Sequence, residues 1–280
     1  MAKDQGFEDS PEFRCLLAGD SQVDLTKIGL EIAMDAYPDL NPEAWLEQIS
    51  NLADRVRDRC APQAKPRQIL GQINWVLFVE EQFKGNSDDY YDPRNSYLND
   101  VLERKLGIPL SLSMLYLAVA QRVGLEMAGV NLPGHFVVRT GWGNTALFVD
   151  PFHEGEFLDR TGCMRRVEEV TGEEIELDEE QLSPCSPILM VARMLRNLKA
   201  VYLNEGDFNA SLPVMRRLVA LTGGEPLERR DLGVACLHSQ RAGEAIDHLQ
   251  AYLQAAPTAE DARDIATLLR AAKRDVAAWN

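Results

Sequence analysis

Residues 111–123, SLSMLYLAVAQRV, carry an apolar or small side chain at nearly every position. A helix without a polar face does not sit on a surface, so this stretch predicts a central helix enclosed by other elements. Pro109 stands just before it and Gly124 just after it, as start and stop. The rest of the fold has to build walls around it.

The pattern then changes to short β-branched or aromatic runs: AGVNLP, HFVVRT, TALFVD and FLD, separated by Gly, Pro and Asn. These read as strands of an antiparallel sheet packed on the central helix. The N-terminal third reads as helical. DLTKIGLEIAMDAYP ends at Pro38. Asn41 caps a second helix with Pro42 at its first position. PRQILGQINWVLFVEEQF is a third, more apolar helix. GNSDDYYDPRNSYL reads as a long ordered loop, with Asn95 or Ser96 capping a short helix after it.

Of the 280 residues, 29 are Lys or Arg and 44 are Asp or Glu, a net charge of −15. Such a surface repels polyanions, which argues against nucleic acid and anionic membrane as partners. No apolar run approaches the ~20 residues that span a bilayer. The first 20 residues are acidic throughout and are not read as a signal peptide. Cys15, Cys60, Cys163, Cys185 and Cys236 are far apart and form no CxxC, which reads as reduced cytoplasmic thiols. The histidines form no HxxH or HExxH pair, so neither a metal nor another cofactor is expected.

After Pro187 the chain is helical and repeats with a period of 34, at 192–225 and 226–259. Leu198 and Leu232 share one position, Tyr202 and Cys236 another. Lys199 departs from the pattern, where a small residue is usual. The expected organisation is a flexible N-terminus at 1–19, an α+β domain with a helical extension at 20–172, an acidic linker at 173–187 around EEIELDEE, and helical repeats with a capping helix at 188–280.

DDYYDPRNSYLNDVLERKLGIPLSLSMLYLAVAQRVGL, GVNLPGHFVVR and FVDPFHEG resemble the transglutaminase-like domain of the SirB-type (invasion-regulator-like) bacterial family, in which tetratricopeptide repeats follow. The resemblance covers about residues 40–280 and implies a papain-like fold. Active members of the wider superfamily place a Cys at the N-terminus of the central helix, a His on one strand and an Asp on the next. A helix N-terminus favours a thiolate, the His takes its proton, and the Asp holds the imidazole. His135 and Asp150 match the His and the Asp. The nucleophile does not match. Pro109 falls at the cysteine's place, or Ser111 after a shift of two residues.

Each candidate has two readings. His135 is a base held by Asp150, or a structural turn histidine. Ser111 is the nucleophile of a Ser–His–Asp triad, or a helix cap. The resemblance makes Tyr90, Tyr91, Asp92, Arg94 and Asn95 a signature loop that walls a cleft; otherwise they are turn residues. Arg193, Arg196 and Arg230 fall on the concave face of the repeats, as a clamp for an acidic peptide or C-terminal carboxylate, or as partners of the linker acids at 173–180 or of the first domain. The missing thiol favours a non-catalytic, regulatory pseudoenzyme that binds a protein or peptide partner. The alternative is a hydrolase or acyl transferase using Ser111, His135 and Asp150.

Overall fold

A computed structural model describes residues 7, 9–141, 143 and 146–278. The chain divides into two compact units, one ending at Met194 and the other beginning at Leu195.

The first unit is built around the apolar helix α6, Pro109–Arg122. Leu112, Leu115, Tyr116 and Val119 of α6 are buried in one cluster with Ile49, Leu52 and Val56 of α3 (Pro42–Arg59) and Leu70 and Ile73 of α4 (Pro66–Asn74). Each such aliphatic side chain contributes roughly 1.5–3 kcal/mol by leaving water. A π-helix, Trp75–Glu80, extends α4. Strands β3 (Ala128–Leu132), β4 (His135–Thr140), β5 (Leu147–Asp150) and β6 (Glu156–Leu158) form an antiparallel sheet in sequence order. Thr145, the start of the TALFVD run, lies outside the described residues. Alternate residues of β4 face opposite ways. Val138 joins the α6 cluster, whereas Val137 packs with Cys163 and Val167 of α7 (Arg160–Thr171). The sheet is thus covered on both faces, which is why β4 reads as a continuous apolar run rather than an alternating one.

Three expectations change. Residues 11–17 are not a flexible tail: Pro11–Leu17 form helix α1, with Phe13 fully buried. The Glu31 carboxylate, from α2 (Leu25–Ala33), accepts the backbone N–H groups of Glu12 and Phe13 at 2.9 and 2.8 Å, holding the helix by its positive end. The acidic segment 173–187 is not a free linker. Leu177 and Leu182 are buried against the sheet, and Cys185 N donates to Gly129 O at 2.7 Å. The short helix after the loop is α5 (Leu98–Arg104), with Tyr97 at its cap, because Asp92 and Asn95 are taken by the preceding 3-10 turn at 93–95. Two-residue parallel strands β1 (Lys84–Gly85) and β2 (Leu106–Gly107) complete this unit.

The second unit holds the end of α8 (Pro187–Glu205), then α9 (Phe208–Leu221), α10 (Pro226–His238), α11 (Ala242–Ala255) and α12 (Ala262–Ala278). Leu212, Met215, Leu232, Cys236, Ala245, Leu249 and Tyr252 form its core. Lys199 is accommodated because its ammonium lies 2.6 Å from both Glu228 and Asp231 of α10.

Candidate functional site

β3 and β4 turn through Pro133–Gly134. Gly134 has φ +68°, a left-handed conformation that a proline–glycine turn supplies without strain. The turn delivers His135 at the first position of β4, opposite Leu132. Asp150 ends β5 and caps the following turn at 151–153. Its Oδ1 accepts from Phe152 N at 3.1 Å and His153 N at 3.4 Å. Proline at the first turn position folds His153 back onto the aspartate three residues earlier.

Three cationic or ring nitrogens therefore converge on Asp150 Oδ2. His135 Nε2 lies at 2.9 Å and His153 Nδ1 at 2.8 Å. Arg166 Nε, from α7, lies 2.9 Å away without the alignment of a hydrogen bond. Arg166 also meets Glu156 and Glu169, each at 2.6 Å. Burial alone would raise the Asp150 carboxyl, but the hydrogen bonds from His135 and His153 outweigh it and hold the group well below the usual range. An ionised carboxylate only accepts, so both ring nitrogens facing it carry protons. With Nδ1 protonated, His153 Nε2 accepts from Arg166 Nη1 at 3.3 Å.

His135, Asp150 and His153 offer three ligand atoms within 4.8 Å of one another, the donor set of a divalent-metal site. The protons argue for another use. A metal on His153 Nδ1 would leave Nε2–H pointing at a guanidinium that already donates to it. The arrangement is a proton-satisfied network around a single carboxylate.

His135 lines a cleft of about 290 Å³ with Tyr90, Pro109, Phe152, His153, Arg166, Glu169 and Val170 among its walls. Pro109, at the first position of α6, lines this cleft together with His135. Ser111 is two positions further in and is committed elsewhere. Its Oγ donates to Asn95 O at 2.6 Å and accepts from Ile108 N at 3.1 Å, an intrahelical cap of the helix entry. The triad of Ser111 with His135 and Asp150 is not assembled; only the last two meet. Cys163 offers no substitute, because burial pushes its thiol up to about 12.

Of the expected loop wall, Tyr90 faces the cleft, packing edge-on to Phe152 with ring centroids 6.3 Å apart. Tyr91 points outward and is 66% exposed. Asp92 is buried and bonds Arg94 at 2.8 Å and Arg104 at 3.0 Å. Asn95, fully buried, bonds Asp89 O at 2.7 Å and takes Asn86 Nδ2 at 3.0 Å. Neighbouring side chains in a tight turn diverge, so Tyr91, Asp92, Arg94 and Asn95 shape the loop, and of these five expected residues Tyr90 lines the cleft, together with Ser87.

The three arginines do not form one clamp. Arg196 pairs with Glu228 at 3.0 Å and Glu225 at 3.2 Å. Arg230 pairs with Asp261 at 3.0 Å and Asp231 at 2.8 Å. These acids belong to the repeats themselves and not to the segment 173–180. Arg193 falls in the first unit and has a different environment. His153, Phe152 and Arg166 escaped the sequence reading. His153 was visible inside FVDPFHEG as the third residue after Asp150. For Arg166 the Asp159 cap and the Gly172 stop signal the helix α7, but not that this residue faces Asp150.

The transglutaminase-like superfamily profile matches residues 43–196, and a tetratricopeptide-repeat profile matches 198–270. A UPF0162 protein of Xylella fastidiosa (strain 9a5c) is 34% identical over 242 residues, 85% of this chain and 86% of that protein. A UPF0162 protein of Vibrio cholerae is 26% identical over 241 residues, 84% of this chain and 89% of that one. F-box only protein 21 of Mus musculus is 39% identical over 104 residues, 34% of this chain and 17% of that protein. No solved structure matches significantly. No helix among the described residues is long and apolar enough to cross a membrane.

Proposed function

Because the chain belongs to the transglutaminase-like superfamily, in the bacterial UPF0162 (SirB-type) group with tetratricopeptide repeats, we propose that it is a non-catalytic regulatory protein of the cytoplasm that binds segments of a protein partner. The observation that carries this reading is Pro109. It shares the cleft with His135 and offers neither a nucleophilic side chain nor a backbone N–H. The base and its orienter are present, and the group they would activate is missing. What remains is a walled groove with aromatic and apolar surfaces and a histidine acceptor, suited to holding an extended segment. The repeats supply a second surface of a kind that commonly binds protein segments.

The test is turnover. The full chain, offered glutamine-containing peptides with and without a primary amine, should release no ammonia and form no isopeptide. Ser111→Ala should behave the same and lose only about 1 kcal/mol of stability, the usual value of a hydrogen bond. Ammonia release that disappears in a folded Ser111→Ala chain overturns the reading in favour of a serine hydrolase.

Restoring the missing atom sharpens it. Pro109→Cys should create a thiol alkylated by iodoacetamide at pH 6–7 well ahead of Cys163, Cys185 and Cys236, which burial pushes up to about 12, 11 and 12. The helix terminus and His135 both favour its thiolate. Alkylation no faster than at those three would mean that His135 does not face that position.

A further inference from the structure

A second concavity in the first unit lies apart from the His135 cleft and shares no lining residue with it. It holds about 380 Å³ between the entry to α2, one face of α6, the start of β3 and the first turn of α8. Its floor is apolar and rich in sulfur. Met114 and Met190 are buried there, and Leu117 and Met127 are half-buried. Met190 packs on Gly129, where a Cβ would stand 3.0 Å from its Sδ. Methionine side chains are unbranched and polarizable, so they reshape around an inserted group. Ile188 and Leu189, between the lining residues Pro187 and Met190, are 41% and 54% exposed. Large apolar side chains thus stand in water beside an apolar hollow, the setting of an interaction site rather than of a sealed core.

The charge around the hollow has one sign. Asp24 and Glu126 are the charged residues among its described lining, and none is basic. Asp24 Oδ1 caps α2, accepting from Thr26 N at 2.8 Å, and Glu126 is exposed. Among the described residues neither forms an ion pair. Arg193, three residues beyond Met190, is spent at the other end of β3, where its Nη1 donates to Leu132 O at 3.1 Å. Strand addition is closed off. β3 is an edge strand, and its Gly129 O already accepts from Cys185 N at 2.7 Å. A partner must therefore enter by side chains and not by backbone pairing, which is how an amphipathic helix uses a groove.

We propose that this groove docks a basic amphipathic helix of a partner protein, with aliphatic side chains seated over Met114, Leu117, Met127 and Met190 and with Lys or Arg meeting Asp24 and Glu126. The chain's net charge of −15 steers such a helix in and repels an acidic one. The groove serves in this way whether or not the His135 cleft binds a segment or reacts.

The test uses the full chain with 13C-methyl-labelled methionine, the Met114, Met127 and Met190 signals being those lost one at a time on substitution by Leu. Two synthetic helical peptides of equal length share their leucine positions, one with Lys and the other with Glu at the remaining sites. A saturable shift of the three signals with the Lys peptide is expected, with Met164 and Met215 unmoved and the Glu peptide without effect. Glu126→Lys should weaken binding about fivefold or more, because it turns an attraction into a repulsion. Glu260→Lys makes the same charge change at an exposed residue of the repeats and should weaken it less than about twofold. Shifts spread over all the methionines, or equal weakening by the two substitutions, mean diffuse attraction to a negative chain and overturn the proposal. Equal shifts with both peptides, or none at the three methionines, overturn it as well.

Discussion

Around Asp150, one fully buried carboxylate gathers two histidines and an arginine. In the repeats, Glu228 and Asp261 meet basic residues at a surface where Arg196 keeps 47% of its side chain exposed and Arg230 keeps 31%. Both regions satisfy their charges, yet the energetics differ. Water screens the repeat pairs, which makes each worth about 1 kcal/mol or less. The Asp150 network is shielded, so its pairing is strong and the loss of one member leaves uncompensated charge behind. Such concentration of polar groups in an otherwise apolar unit is what a reaction centre requires. The network lies in the part of the chain that matches the transglutaminase-like superfamily.

The largest effect that separates the regions is expected at Asp150. Asp150→Ala removes the acceptor of both histidines and should cost about 3–5 kcal/mol in urea unfolding. A cost below about 1 kcal/mol would put Asp150 on a par with the surface pairs. The pH dependence carries a sign. Folding depresses the Asp150 carboxyl below its unfolded value of about 3.9. Its contribution is complete above that value and is lost as pH falls through the folded one. The stability gap between the native chain and Asp150→Asn should therefore be flat from about pH 5 to 6 and narrow below about pH 4. A gap that widened on acidification would contradict the ionised network.

In the repeats the expected effect is smaller. Glu228 is nearly buried and joins Arg196 and Lys199. Glu228→Ala should cost about 1–2 kcal/mol, because Lys199 keeps Asp231 as partner. Arg196→Glu would face Glu225 and Glu228 with a like charge. It should lower the melting temperature, more at low salt than at 0.5 M, since screening shortens with ionic strength. A cost for Glu228→Ala as large as that for Asp150→Ala would erase the distinction between the regions.

These differences track what the sequence made legible. The central helix was readable because thirteen residues without a polar face leave no other place for it. His135 and Asp150 were readable as a pair because local turns set both: Pro-Gly before the histidine, Asp-Pro at the aspartate. Arg166 was not, since RRVEEV reads as a solvated helix until Asp150 is known to lie beside it. The repeat register placed Arg196 and Arg230 on a helix face but did not show the acids they meet. Apart from Asp231, the neighbour of Arg230, those acids lie 29 to 32 residues downstream, one repeat less a few residues. Lys199 follows the same rule, with Glu228 29 residues on. A basic residue followed at that spacing by an acid therefore marks a pair across successive repeats rather than a free binding face. Among the described residues, Arg193 pairs with no acid and falls outside the rule.

The smallest expected effect lies in the signature loop, where adjacent tyrosines divide the two behaviours within one turn. Tyr90 packs on Phe152 and walls the cleft. Tyr91 is 66% exposed, and its described ring contact is edge-on to Tyr90, with centroids 5.4 Å apart. An exposed ring loses little by truncation, because most of its surface was already in water. Tyr91→Ala should therefore change stability by no more than about 0.5 kcal/mol. Tyr90→Ala should cost more, since it removes a cleft wall and the Phe152 contact together. Urea unfolding of the two variants decides the matter. Equal losses would mean that the loop acts as one body, with Tyr91 bracing Tyr90 against the cleft, and would return Tyr91 to the wall that its sequence context suggested.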